Sequence, residues 1–169
     1  MDFSRLNYRR LAVGLSASAL LIISILFLPW YSLDHNPSRA VGNPSYSPDA
    51  WICGTGDYEC TGFETFPILR WLLLLAAIAP IILAYILVRA HKLSYPPGEM
   101  TMVAGFAAMV LIGYNGIIDK PGTGIAETGV SLDYGYWLAL IASIAIAAVG
   151  WTRSLESGAK QKRKAPGTV

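Results

Sequence analysis

Charged side chains are scarce in this 169-residue chain, and its long apolar runs contain almost none of them. Only 14% of the residues are Asp, Glu, Lys or Arg, whereas 54% are hydrophobic. A soluble domain of this size carries about a quarter charged residues and distributes them along the exposed face of each helix. The shortage therefore argues against an ordinary soluble domain and favours a membrane protein.

Cysteine and histidine are also rare, with two residues of each type. Six residues separate Cys53 from Cys60, which is too many for a CxxC redox motif, and His35 and His91 are far from both. Metal sites and most catalytic centres need clustered Cys, His or carboxylate side chains. We therefore expect no cofactor, no metal and no enzymatic activity, and a net charge of +2 gives no reason to expect a nucleic-acid partner.

Four apolar blocks stand out along the chain. They cover residues 11–30, 67–88, 100–118 and 136–152. At 1.5 Å per residue, a helix of about twenty residues crosses the roughly 30 Å hydrocarbon core of a bilayer. The sequence thus predicts an all-α fold, in which residues 1–153 form a four-helix transmembrane bundle.

The lysines and arginines predict how this bundle is oriented. Ten of the thirteen lie on the side that holds both termini and the loop between the second and third blocks. Because positive charges near span ends are retained in the cytoplasm, we expect both termini inside the cell and a location in the plasma membrane. Loops 31–66 and 119–135 would then face outward, and residues 154–169 would form a disordered basic cytoplasmic tail. The outer aromatic belt would contain Trp30, Tyr31, Trp71, Tyr134, Tyr136 and Trp137, and the inner belt Tyr8 and Trp151.

The segment that runs from Trp51 to Cys60 is the most distinctive part of the outer loops. Its two cysteines face an oxidising space in the predicted topology, which favours a Cys53–Cys60 disulfide. Closing so small a loop would remove about 2.5 kcal/mol of unfolded-state entropy in the chain-entropy account. A reactive or metal-binding thiol pair is the alternative, but neither a histidine nor a basic residue lies nearby in sequence to lower a thiol pKa.

The candidate polar or interaction site combines Trp51 of the first outer loop with four residues near the outer ends of the spans: Arg70, Tyr114, Asn115 and Asp119. Arg70 would either bind an anionic substrate or extend to the interface beside Glu64, Asp119 or Asp133. Tyr114 and Asn115 would either line a cavity or bond to a neighbouring helix. We favour the structural role for each, because no span carries an ionisable relay at mid-depth.

Two further features indicate partners. Small residues recur at four-residue spacing, which permits close packing within the bundle or against another membrane protein, including a second copy. They are Gly14 and Ser18, Ala104 and Ala108, and Ala139, Ser143 and Ala147. The basic run at 160–164 is suited to anionic lipid, at roughly 1 kcal/mol per basic residue.

The chain resembles a group of small four-span proteins of actinobacteria, a likeness that covers most of its length and implies the fold but no activity. It is carried by Leu28-Pro29-Trp30-Tyr31, by the proline and glycines of loop 119–135, and by Tyr134-Gly135-Tyr136-Trp137. The order Trp30, Trp51, Cys53, Cys60 also resembles the claudin-type tetraspan pattern. Because Asp49-Ala50 replaces Gly-Leu before Trp51, and the cysteines are more closely spaced, we interpret this second likeness as convergence.

These observations predict a non-enzymatic membrane protein, either an accessory subunit or an interaction protein of a cell-envelope complex. A small channel or carrier, with Arg70 and Asn115 at an outer polar mouth, is the alternative. A membrane-embedded enzyme acting on lipid ranks last, because His35 and His91 fall on opposite sides of the predicted membrane.

Overall fold

A computed structural model of the chain describes residues 8–33, 59–89, 97–118 and 130–162. The long helices in these ranges are α1 (Tyr8–Phe27), α3 (Leu69–Val88), α4 (Pro97–Gly113) and α5 (Tyr134–Lys162). The short elements are β1 (Pro29–Leu33), β2 (Glu59–Thr61), α2 (Gly62–Thr65), a π-helical turn (Tyr114–Ile118) and β3 (Val130–Leu132).

Each long helix contains a stretch that is long and apolar enough to cross a membrane. These stretches are Arg9–Phe27, Leu69–Ile86, Gly98–Ile118 and Tyr134–Leu155. Large apolar side chains such as Leu75, Val103 and Ile141 point away from the bundle and are more than half exposed. Surfaces of this kind are covered by lipid tails, and helices satisfy their own backbone hydrogen bonds there. The four helices thus have the length and apolar surface expected of a multi-pass membrane protein, and the predicted bundle of four long apolar helices is confirmed.

The helices form a ring in which sequence neighbours are also neighbours in space. Helix α1 packs against α3 and α5, and α4 also packs against α3 and α5. The interface between α4 and α5 is the most extensive. This arrangement leaves α1 and α4 at opposite corners of the ring.

Glycines explain the close approach of α4 and α5. A Cβ atom at Gly105 would overlap the backbone nitrogen of Ala147, and one at Gly150 would overlap the backbone nitrogen of Met102. A Cβ at Gly98 would lie 2.8 Å from the nitrogen of Ser154. Backbone therefore lies directly on backbone, a packing mode that small residues permit between membrane helices. Alanines at four-residue spacing on these helices predicted close packing, but these three glycines lie outside that pattern.

The all-α prediction needs one correction, because the two loop regions contribute a small sheet. Strand β1 lies in the middle and pairs antiparallel with both β2 and β3. Tyr31 is opposite Cys60 on one side and Leu132 on the other. Strands of three to five residues carry too little alternation to be recognised in sequence, and their partners here are distant in the chain.

Two helix boundaries also differ from prediction. Helix α1 ends at Phe27, before Pro29 begins β1, instead of continuing to Trp30. Helix α5 continues to Lys162, so the first nine residues of the tail that was predicted to be disordered are helical. Leu155, Glu156 and Ala159 are all good helix formers, which accounts for the extension.

Candidate functional site: the aromatic cap

The end of the bundle that carries the sheet is closed by a cluster of buried side chains, here called the aromatic cap. It consists of Trp30, Tyr31, Cys60 and Tyr136, none of which has any exposed surface. The ring of Tyr136 lies 5.9 Å from that of Trp30 at an interplanar angle of 85°, and 6.5 Å from that of Tyr31. Edge-to-face contacts of this kind add to the stability gained by burial.

Hydrogen bonds tie the cap to the helices. The indole Nε1 of Trp30 donates to the carbonyl oxygen of Ser24 at 2.9 Å, and the Ser24 hydroxyl donates to the carbonyl oxygen of Gly135 at 2.5 Å. The phenol of Tyr136 donates to the carbonyl oxygen of Ile112 at 3.2 Å. Each buried donor of the cap therefore has a partner, and the bonds connect α1, α4 and α5.

Two glycines allow the rings to lie against backbone. A Cβ at Gly62 would stand 2.6 Å from Cε2 of Trp30, and a Cβ at Gly116 would overlap the ring of Tyr136. Gly62 begins α2, and Gly116 belongs to the π-helical turn. The cap thus holds the connecting elements as well as the helices.

Tyr31 links the sheet to the π-helical turn. Its phenol donates to the carbonyl oxygen of Asn115 at 3.2 Å, and its ring meets Phe66 edge-on at 5.9 Å. Burial, with a smaller contribution from neighbouring Tyr136, raises the pKa of the Tyr31 phenol well above its usual range. The group is therefore a neutral hydrogen-bond donor at physiological pH.

The predicted aromatic belt is only partly correct. Trp30, Tyr31 and Tyr136 point into the cap and not toward lipid headgroups. Trp71 and Trp137 are about half exposed or more at the same end of the bundle, as a belt requires. The order of residues in sequence does not reveal which aromatic side chains point inward.

Arg70 lies at the start of α3 against aromatic rings. Its guanidinium carbon is 4.6 Å from the centre of the Phe63 ring and 5.5 Å from that of Trp71, and Nη1 donates to the carbonyl oxygen of Phe63 at 3.4 Å. Such cation–π contacts favour Arg over Lys. Its buried Nε makes no hydrogen bond.

The carboxylates that were expected beside Arg70 have other roles. Glu64 forms a capping box with Thr61 at the start of α2. Asp133 accepts a hydrogen bond from the backbone nitrogen of Tyr134, at 2.7 Å, where α5 begins. Asp119, the third candidate, is outside the described residues.

The other members of the candidate polar site are dispersed. The side-chain amide of Asn115 donates to the carbonyl oxygen of Leu111 at 2.8 Å, whereas Tyr114 is about half exposed on the surface of the bundle. The Asn115 amide therefore bonds within its own helical segment and not to a neighbouring helix, which was the role favoured for it. Trp51 and Cys53 lie, like Asp119, outside the described residues, whereas Cys60 is buried in β2.

The described interior of the bundle contains few polar groups. The side chains of this type that are buried there are Ser18, Ser24, Thr101 and Ser143. No group of three His, Cys, Asp or Glu residues that could hold a metal occurs in the ranges that the structure covers. The helices therefore surround a core of packed side chains in this part of the chain.

Comparison with protein-family models, with curated proteins and with solved structures finds no match to this chain. The resemblances to actinobacterial four-span proteins and to the claudin pattern stay predictions.

Proposed function

We propose that this protein is a non-catalytic membrane component of a cell-envelope complex, and that it uses its loops at the sheet end to contact a partner. The observation that carries the proposal is the aromatic cap. Residues 34–58 leave from β1 and return in β2, two strands that are paired and rest on the cap. Both ends of this segment are thereby held on a rigid base.

Anchored loop ends favour recognition for an entropic reason. Binding costs free energy whenever loops and side chains must be ordered, and a base that is already ordered reduces this cost. The sheet adds further anchorage where the hydroxyls of Ser32 and Ser131 lie 2.6 Å apart, which links β1 to β3 at the end of segment 119–129. Both loop regions therefore begin or end on the same three strands.

The proposal includes the Cys53–Cys60 disulfide. Cys60 is opposite Tyr31 in the sheet and is fully buried. A bond to Cys53 would attach this part of the loop to the cap and hold Trp51 two residues away from the anchor. Trp51 is then the loop residue most suited to contact a partner, because tryptophan is enriched at interaction hot spots.

The alternative of a channel or carrier receives less support. Asn115 bonds within its own helix and accepts a bond from Tyr31 through its backbone, and Arg70 packs on Phe63 and Trp71. These groups stabilise the structure that surrounds them. A transport path through a single copy would need polar groups facing a continuous cavity.

The orientation belongs to the same proposal, with both termini in the cytoplasm of a cell whose plasma membrane holds the protein. Cysteines introduced at Ser45 and Thr128 should react with an impermeant reagent added to intact cells, whereas one at Ser94 should react only after lysis. Unmodified protein is the control for Cys53 and Cys60. Reaction at Ser94 in intact cells would reverse the orientation and move the loops to the cytoplasm.

A loop replacement tests the partner directly. Residues 36–52 are replaced by a Gly/Ser segment of equal length, which removes Trp51 but leaves both cysteines in place, and residues 160–164 are replaced in the same way as a control. After purification from native membranes in mild detergent, a stoichiometric partner should accompany the unmodified protein and the tail variant but not the loop variant. Retention by the loop variant contradicts the proposal, and so does purification of the unmodified protein alone combined with solute flux in liposomes.

A further inference from the structure

The surface of α5 near the chain termini has an apolar groove on one side. The groove lies between α4 and α5, has a volume of about 630 Å³, and is lined mainly by Met102, Phe106, Met109, Ile144 and Trp151. Met102 and Met109 are seven residues apart, which corresponds to about 10 Å along a helix. This is most of the roughly 15 Å that one leaflet contributes to the hydrocarbon core.

A second cavity lies on the other side of α5, against α1. Its volume is about 260 Å³, and Arg9, Arg10, Val13 and Val149 form part of its wall. The two cavities share Ala148 and Thr152, which are exposed and form a low ridge between them. One cavity is apolar throughout, and the other carries two arginines at the start of α1.

We propose that the two cavities together bind one anionic phospholipid, whose acyl chains lie on either side of the Ala148 ridge and whose phosphate contacts Arg9 and Arg10. Charge and shape both support this occupant. A phospholipid has two apolar tails and a charged head, and two arginines can bind its phosphate through charge-assisted hydrogen bonds.

The remaining groups at this end fit the same ligand. The hydroxyl of Thr152 is engaged within α5, where it donates to the carbonyl oxygen of Val149 at 3.0 Å, and Arg9 and Arg10 are the cationic residues that line the smaller cavity. Glu99, the carboxylate described in the first turn of α4, is exposed and lines neither cavity. Trp151, more than half exposed, is placed to contact the lipid at headgroup level.

The site is distinct from the partner surface, because it lies at the opposite end of the bundle from the aromatic cap. It also differs from the attraction of the basic run at 160–164, which requires no cavity. Lipid held in a shaped site should remain bound during purification, whereas lipid attracted only by surface charge should exchange freely.

Native mass spectrometry of the purified protein tests the proposal, with dioleoyl phosphatidylglycerol and dioleoyl phosphatidylcholine as probes that have identical tails. We expect the protein to retain one phosphatidylglycerol with at least tenfold preference, because two arginines contribute roughly fivefold each. The double variant R9Q/R10Q should lose this preference, and R9K/R10K should keep most of it. Raised salt should weaken the preference of the unmodified protein, which tests the charge contribution without any substitution.

Two variants that each replace an exposed alanine by phenylalanine test whether the cavities bind lipid. Ala148→Phe raises the ridge between them and should reduce the binding of both lipids at least fivefold. Ala107→Phe makes the same change at an exposed position of α4 that lines neither cavity and should leave binding unaltered. Equal binding by the two variants would overturn the proposal, as would an unaltered lipid preference in R9Q/R10Q. A dimer that only Ala148→Phe dissociates would assign the surface to a second copy instead.

Discussion

The two ends of the bundle are stabilised in different ways. At the sheet end, Trp30, Tyr31 and Tyr136 fill the space between the helices, and each of their polar atoms has a hydrogen-bond partner. Toward the termini, Gly98 and Gly150 let the backbones of α4 and α5 touch. The stability of the sheet end therefore depends on large side chains, whereas the stability of the other end depends on the absence of side chains at its glycines.

This difference matches what lies beyond each end. The cap supports a sheet from which long loop segments leave, so its volume must be filled and its polar groups bonded. At the other end, the direct contact of α4 and α5 leaves grooves on the surface that lipid can occupy. A smaller side chain should therefore destabilise the sheet end, whereas a larger side chain should destabilise the contact between α4 and α5.

The largest effect is expected from Trp30→Ala. Removing a fully buried tryptophan leaves a large cavity and takes the indole donor away from the carbonyl oxygen of Ser24, which should cost about 3–5 kcal/mol of stability. Trp137→Ala is the matched control, because Trp137 is about half exposed at the same end. Thermal unfolding in detergent should show a much lower Tm for Trp30→Ala alone, and similar Tm values for the two variants would contradict the account of the cap.

Gly150→Ala tests whether the contact between α4 and α5 requires a residue without a side chain. Its added methyl group would overlap the backbone of Met102, so α4 and α5 must separate at an expected cost of about 1–3 kcal/mol. Gly113→Ala provides the control, since no atom lies within 4 Å of the added Cβ there. That variant should keep or slightly raise the Tm, because alanine favours a helix over glycine by up to about 1 kcal/mol. Equal decreases in the Tm of the two variants would show that the close contact at Gly150 does not control stability.

Tyr31→Phe should have a smaller effect, because it removes one hydrogen bond and keeps the ring. The expected loss is about 0.5–1.5 kcal/mol near neutral pH. The raised pKa in the folded protein means that the unfolded state loses its phenolic proton first, so stability from this group is complete below about pH 10 and declines above it. The Tm of the unmodified protein should therefore fall between pH 9 and pH 11 more steeply than that of Tyr31→Phe. Parallel curves would indicate that other groups control the decline.

Arg70→Lys should have the smallest effect. Lysine keeps the charge and also reaches the interface, but it loses the planar contact with the Phe63 ring, at an expected cost of about 0.5–1 kcal/mol. Partner binding and the Tm should both remain close to those of the unmodified protein. A folded Arg70→Lys protein that had lost a solute flux or a ligand signal would favour the carrier alternative, since an anion site depends on the guanidinium geometry.

Particular residues show why the candidate site was harder to predict than the spans. Arg70 and Asn115 were selected as unusual positions, and the side chain of each contacts other groups of the protein. The partners of these residues were not predicted. No pattern in the sequence indicated that the Phe63 ring contacts Arg70, and Asn115 is separated from its partner Tyr31 by 84 positions of the chain. Gly116 was not selected from the sequence, although it is the residue that makes room for Tyr136.

The sequence by itself determined the membrane class and the number of spans, because the length and apolarity of a segment are local properties that a bilayer selects directly. Only the tertiary structure decided which aromatic side chains are buried, which loop segments pair as strands and which glycines lie at a helix contact. Each of these depends on a partner far away in the chain, and the same tryptophan suits both a headgroup layer and a protein core. Burial of Trp30 and exposure of Trp137 follow from packing, and packing is defined only once the four helices are assembled.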